Sequence, residues 1–471
     1  MKFLLCSLSL ILLFHSACNR AGDPKSNTAS MDIKQIPVTY PPTRQDSTVA
    51  DDYFGTIIKD PYRWLEDDQS AETKDWVTKQ NIVTNGYLSQ IPYRDKIKKR
   101  LEQIYNFEKF GTPFKKAGKY YFFKNDGLQN QSVLYVQENL NAEAKVALDP
   151  NTFSTDGTAS LGEATLSKDG RYLGYTVSKG GSDWRTIFVK DMQEGKMLPD
   201  QLQWAKFTGL AWQGNGFYYT RYPEPKKGSE LTSVNQLGAV YYHQLGTAQS
   251  ADRLVYTDKA HPNRSFGAGT TEDQRFLYVT GFESTSGNVL YFKDLTADKS
   301  DFTPVSTSFE HDFTVIDNLG DKLLVLTNHK APNKRLILIS ANNASEQNWE
   351  TLIPEDSTDV LESAVLCGGR IVCNYLHNAS NALRVFGENG QMIQEVKLPE
   401  IGSVGEISGR KEDSQAFFSF TSFLRPMTIY SIDMSDLSPQ VFKAPKLDFS
   451  PDLFTTEQVF YQSMDGTQVP M

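Results

Sequence analysis

The sequence predicts a mainly β fold, a seven-bladed β-propeller preceded by a short α-helical segment. Three observations carry that reading. From about residue 107 onward, apolar and aromatic residues follow the two-residue period of strands rather than the 3.6-residue period of helices. The same strand–turn–strand unit recurs about every 50 residues, the spacing of propeller blades, and about seven such units fit before Pro445. No linker-like gap separates the units, as a row of independent β-sandwich domains would require.

The first eighteen of the 471 residues are of a different kind. Lys2 gives a positive start, residues 3–14 form an apolar run broken by Cys6, Ser7 and Ser9, and Ser16 and Ala17 lead to Cys18. This is the layout of a secretory signal, with an apolar run too short for a transmembrane helix. It is similar to a bacterial lipoprotein signal, in which the cysteine after the small residues is lipidated. Residues 1–18 are thus expected to be the signal peptide and Cys18 the lipidation site. The expected location is the bacterial cell envelope, exported to the periplasm with a lipid anchor; simple secretion or an uncleaved anchor are the alternatives. Residues 19–39, poor in large apolar side chains, read as a flexible linker.

Helix signals occupy residues 40–105. Asp60 and Pro61 suit the cap and first turn of a helix, and Ser70 suits the cap of a longer one carrying Trp76, Val77, Val83, Tyr87 and Leu88. From about Tyr93 a further helix places Ile97, Leu101 and Ile104 at i, i+4 and i+7. Ile97 and Leu101 with Trp64 and Trp76 form an apolar patch that needs a partner.

Residues 106–445 hold the blades. Ser167-Lys168-Asp169-Gly170-Arg171 recurs as Thr271-Glu272-Asp273-Gln274-Arg275, each time ahead of an aromatic-rich strand. Gly214-Asn215-Gly216 and Leu319-Gly320-Asp321 occupy the same place in other units. A single four-stranded blade cannot bury both faces, so blades must stack and supply one another's cores. In one unit Gly368-Gly369 reads as a two-residue hairpin turn, which sets Cys367 opposite Arg370 and Cys373 opposite Ala364. The two thiols are then not cross-strand partners, and buried free cysteines are expected rather than a disulfide.

The chain carries a formal net charge of −9, is 39% hydrophobic and 22% charged, and mixes both signs along its length. No basic stripe with interleaved aromatics appears, so no nucleic-acid partner is expected. His243, His261, His311, His329 and His377 lie in separate repeats without metal-ligand spacing, and are expected at loops or strand edges. No phosphate loop or nucleotide fingerprint occurs, so neither a metal nor a cofactor is expected.

Several stretches carry a specific resemblance. They are Tyr53-Phe54-Gly55, Asp60-Pro61-Tyr62-Arg63-Trp64-Leu65-Glu66-Asp67 with Trp76-Val77 and Gln80-Asn81, and Asn125-Asp126-Gly127-Leu128-Gln129-Asn130-Gln131. Gly181-Ser182-Asp183-Trp184 and Phe420-Thr421-Ser422-Phe423-Leu424-Arg425-Pro426 complete the set. Over residues 40–471 the chain resembles the prolyl oligopeptidase family of serine peptidases, and Gly127-Leu128-Gln129-Asn130-Gln131 favours that branch over oligopeptidase B.

The resemblance implies a seven-bladed propeller paired with an α/β-hydrolase domain. Residues 40–105 would be that domain's N-terminal helical extension, and residues 446–471 its first strands. It further implies a monomeric, cofactor-free endopeptidase that cleaves short proline-containing peptides after proline by a Ser-His-Asp triad. The serine of such a triad sits on a glycine-flanked strand-to-helix turn, and no Gly-x-Ser-x-Gly occurs here. Gly180-Gly181-Ser182 is the nearest likeness, but Asp183 and Trp184 follow it, so Ser182 reads as a turn serine. No catalytic residue is therefore assigned. The chain is expected to stop short of the catalytic core, to be inactive alone, and to have the missing hydrolase domain as its intramolecular partner. Phe207 matches an aromatic that in this family reaches from the propeller toward the bound peptide; an ordinary blade-core phenylalanine is the other reading. Thr280-Gly281-Phe282-Glu283-Ser284 departs from the family pattern of an arginine followed by a cysteine. A non-catalytic peptide- or protein-binding propeller, or a parent with the basic specificity of oligopeptidase B, are the competing functions.

Overall fold

The computed structural model describes residues 36–297, 301–447 and 449–471. They fall into two compact units, one holding the residues up to Pro61 together with residues 70–94, the other residues 62–69 and 95–471.

In the first unit the strands Ala50–Tyr53 and Thr56–Lys59 pair as an antiparallel hairpin. Its two-residue turn puts both Phe54 (φ 56°) and Gly55 (φ 91°) in the left-handed region, as a primed hairpin turn demands. Helix α1, Ala71–Leu88, begins as predicted: the Ser70 side chain accepts from the Thr73 amide at 3.1 Å. The Trp76 indole N–H donates to Thr43 Oγ1 at 2.9 Å, and Arg44 grips the Glu72 carboxylate in a two-point contact at 2.7 and 3.1 Å.

In the second unit the helix expected at Asp60 is not formed. Only a single tight turn of helix, Arg63–Glu66, follows, entered from Tyr62 without a side-chain cap. Helix α2, Arg94–Tyr105, matches the expected stripe, and its Ile97, Leu101 and Ile104 are all exposed.

The remainder is a β-propeller of antiparallel sheets met in chain order. Five stand separately: one of five strands built from residues 109–148, and four of four strands each that begin at Ser265, Phe313, Val360 and Ser403. The seven separate blades expected from the repeats are therefore not seen as seven sheets. Residues 159–256 form one continuous eight-stranded sheet instead. The cause is local. The strand Lys196–Ala205 runs to ten residues, while Ala211–Trp212 has only two and covers only Tyr218 and Phe217 of the next strand. The far end of Gly216–Arg221 is left open, and Ala205 pairs there with Arg221, reinforced by a Tyr222 N–H to Trp204 carbonyl bond at 3.0 Å.

The repeated turns earn their similarity through hydrogen bonds. Asp169 accepts from the Ser167 hydroxyl and the Arg171 amide, and Asp273 does the same for Thr271 and Arg275. Each arginine then reaches back to the aspartate ending a neighbouring strand, Arg171 to Asp191 and Arg275 to Asp294.

The core lies between sheets rather than in one centre, as stacked blades require. Six apolar clusters follow the chain. Tyr121 and Leu134 pack on Leu173 and Tyr175, and Ile187 and Val189 on Phe217 and Tyr219. Next come Val240 with Val279, Phe292 with Val325, Leu326 with Leu361, and Val385 with Phe418. The first and last sheets also meet, which closes the ring, through Lys115 Nζ on Asp413 at 2.9 Å, the Ser408 hydroxyl on the Pro113 carbonyl, and Tyr120 edge-on to Phe417.

After the last sheet, Phe460–Gln462 and Gln468–Pro470 pair in a small hairpin of their own. Phe460, Tyr461 and Met464 on it are exposed.

Candidate functional site

The first strand of each four-stranded repeat faces a central channel of about 590 Å³. Its wall draws on Phe114–Lys116, Ala159–Leu166, Ala211–Trp212, Ser265–Thr270, Phe313–Leu319, Val360–Cys367 and Ser403–Ser408. Beyond the C-terminal ends of some of these strands a second cavity of about 360 Å³ is lined by charged turn residues. Ion pairs there join sheets distant in sequence: Arg410 to Glu272 at 2.7 Å and Lys411 to Asp317 at 3.1 Å.

A second feature surrounds Phe207. This residue follows the long strand Lys196–Ala205 with a φ of 50° and is 61% exposed, so it is not a blade-core phenylalanine. A non-glycine in this region is strained, which marks the loop as held by its surroundings. The holding group is Lys206, a buried lysine whose ammonium lies 4.7 Å from the Trp184 ring centre and 5.6 Å from that of Phe207. Trp184 donates to the Glu230 carbonyl at 2.7 Å and meets Trp204 and Tyr222 edge-on. Beside this cluster a groove of about 750 Å³ is lined by Trp184, Trp204, Leu231 and the Gly180-Gly181-Ser182 turn. The two tryptophans stand among a mostly polar lining that includes Asp183, Arg185, Gln201, Gln203 and Glu230, so the groove offers aromatic faces beside many hydrogen-bonding groups.

Ser182 is a turn serine, as its sequence context indicates: its hydroxyl accepts from the Trp184 amide at 3.1 Å. The histidines are not all at edges. His261 is exposed beside Asp258, His377 at a strand end bonds Asp359, and His311 stacks edge-on against His329. His243 departs from the expectation. It lies wholly buried within Ala239–Gln244, with Nδ1 2.7 Å from Asp252 and Nε2 2.9 Å from Asp200. Burial works against its charged form, but the hydrogen bonds to Asp252 and Asp200 outweigh it and raise the imidazole above its ordinary value. Asp252 follows nine residues after His243 across a turn, but Asp200 comes from a strand 43 residues earlier.

Cys367 and Cys373 are free and buried, and Cys367 pairs with Arg370 and Cys373 with Ala364, the predicted register. Burial pushes the Cys367 thiol up to about 12. Around the sequence departure at Thr280 to Ser284, Arg264 binds Glu283 and Asp258, both at 2.7 Å. Among the described residues no group of three or more His, Cys, Asp or Glu is arranged to hold a metal ion, and no helix is long and apolar enough to cross a membrane. Cys18 lies outside the described residues.

Comparison with known proteins places this geometry. Residues 41–445 match the family model described as the prolyl oligopeptidase N-terminal beta-propeller domain. A prolyl endopeptidase of Elizabethkingia meningoseptica is 42% identical over 433 residues, covering 92% of this chain and 61% of that protein. One from Dictyostelium discoideum is 31% identical, covering 92% of this chain and 66% of that protein. Among solved structures, a prolyl endopeptidase studied for inter-domain dynamics aligns with a TM-score of 0.71 at 34% identity, covering 92% of this chain and 62% of the other. Prolyl oligopeptidase B of Galerina marginata, bound to a 25mer macrocyclization substrate, aligns at 0.79 and 28% identity, covering 93% and 65%. The chain thus spans about three-fifths of the length of the curated prolyl endopeptidase it matches at 42% identity.

Proposed function

Because the chain belongs to the prolyl oligopeptidase family, we propose that it forms the size-selecting propeller of a serine endopeptidase that cleaves short peptides after proline. The observation that carries this reading is the family match over residues 41–445, in a chain whose repeats enclose a channel of about 590 Å³. A cavity of that volume falls in the range of small-molecule and short-peptide sites and is far too small for a folded protein. The 471 residues contain no glycine-flanked nucleophile, and the reading has them inactive alone. Extending the chain by a hydrolase segment of roughly 240 residues is expected to produce cleavage of a Gly-Pro reporter. Cleavage after Arg or Lys instead would replace this reading with an oligopeptidase B-like one, and no cleavage at all would leave a binding propeller.

The reading extends to finer points. The eight-stranded sheet counts as two blades, giving a ring of seven: six apolar interfaces plus the seam of first and last sheets make seven junctions. The exposed hairpin of Phe460–Gln462 and Gln468–Pro470 is the start of the hydrolase sheet. Phe207 covers bound peptide, so in the extended chain Phe207→Ala should raise KM for the reporter several-fold, a loss of about 1 kcal/mol. An unchanged KM would remove Phe207 from the peptide path. The chain is exported and anchored through Cys18, and mass spectrometry of the mature N-terminus should find a lipid-modified cysteine. An unmodified terminus would assign simple secretion.

A further inference from the structure

The charged cavity beyond the channel leaves two of its lysines without a carboxylate partner among the described residues. Five cationic and four acidic side chains line it. Three of those acids are engaged: Glu272 by Arg410, Asp413 by Lys115, and Asp273 by the Thr271 hydroxyl, the Arg275 amide and Asn318. Glu412 is exposed, and Lys411 is taken by Asp317 and Asn318. Lys116 and Lys168 are left. Lys168 reaches only the Asp273 carbonyl, at 3.1 Å, and half-buried Lys116 has no hydrogen bond or ion pair among the described residues.

We propose that this cavity binds a small oxyanion, seated between Lys116, Lys168 and Arg410. The three side chains come from the first, the eight-stranded and the last sheet, so the site is assembled by ring closure. Its two lysine turns are held together by tight packing. Gly170, at φ 71°, faces Ala117 so closely that a Cβ there would lie 2.8 Å from the alanine methyl. A phosphate or carboxylate would pair directly with Lys116 and Lys168, which no carboxylate engages, and accept several charge-assisted hydrogen bonds.

The state of Lys116 agrees with an empty anion site. Burial, then repulsion from Arg410 and Lys168, lowers its ammonium to about 8, against the opposing pull of Glu272 and Asp169. A bound oxyanion favours the charged form and raises that value. Above pH 8, anion binding must therefore take up a proton; at pH 7 the amine is already charged and uptake is small.

The test is a calorimetric titration of the 471-residue chain with inorganic phosphate at pH 8.5, in two buffers of different ionisation enthalpy. Saturable binding with proton uptake is expected. Lys116→Met and Lys168→Met should weaken it at least tenfold, while Lys196→Met, on an exposed strand end, should leave it unchanged. Lys116→Arg keeps the charge without the titration near 8, so it should retain binding and lose proton uptake. A parallel titration compares a Gly-Pro peptide acid with its amide: binding of the acid alone identifies a peptide carboxylate as a source, and phosphate alone a free anion. Absence of binding by both, or equal weakening in Lys196→Met, overturns the site. Phosphate binding needs no cleavage, so its failure is separate from failure of the peptidase reading.

Discussion

His243→Ala is expected to lower the unfolding free energy by about 3–5 kcal/mol, measured by urea titration at pH 6, because it removes the buried imidazole that hydrogen-bonds Asp200 and Asp252. The Asp200 and Asp252 side chains are 1% and 0% exposed. Asp252 would keep the Tyr219 hydroxyl, at 2.5 Å, but Asp200 would keep only the Gly246 amide, since its Oδ2 has no hydrogen-bond partner in the structure. The pH dependence follows from the direction of the shift. The folded state holds the imidazolium proton more tightly than an unfolded histidine, whose ordinary value is 6.5. The stabilisation is therefore complete below about 6.5 and is lost as pH rises through the higher folded-state value. Wild-type stability should fall across that alkaline flank, while His243→Gln, which cannot take the charge, should stay flat there. A cost below about 1 kcal/mol for His243→Ala, or parallel pH profiles, would mean that the triad is not held together by charge.

Phe217→Ala should cost about 3–5 kcal/mol, the range for emptying a buried aromatic site. Phe217 is fully buried and touches Trp212 at 5.2 Å, Tyr219 at 6.1 Å and His243 at 5.5 Å between ring centres. It stands in the cluster that joins the two halves of the eight-stranded sheet. Because Phe217 and His243 are in contact, the double variant should lose less than the sum of the single losses, by about 1 kcal/mol. Additive losses would show that the aromatic packing and the ion triad act independently.

Legibility differed by residue for physical reasons. The Ser70 cap was readable because one side chain satisfies an amide three residues away. The registers of Cys367 and Cys373 were readable because a two-glycine turn fixes pairing by counting, with Gly368 at φ 55° and Gly369 at φ 69°. Asp60 and Pro61 misled: the same local pattern ended in a single tight turn starting at Arg63. Phe207 was singled out by resemblance, yet the features that hold it, Lys206 and Trp184, became visible only when distant loops were brought together. The meeting of charges around Lys116 had no sequence signal, since its neighbours come from residues 168–169, 272 and 410.

What the sequence determined alone was the alphabet of the fold: strands of period two, turns set by aspartate and glycine, and a repeat too small to bury its own faces. Those are short-range properties, fixed by backbone sterics and hydrogen bonds a few residues apart. The tertiary structure decided the rest. Ala205 found the open edge at Arg221, merging what the repeats announce as two blades. His243 became a buried imidazole hydrogen-bonded on both sides because Asp200 and Asp252 were brought to its two nitrogens. Electrostatic and edge-pairing energies depend on distance in space, and distance in space is set only when the blades stack.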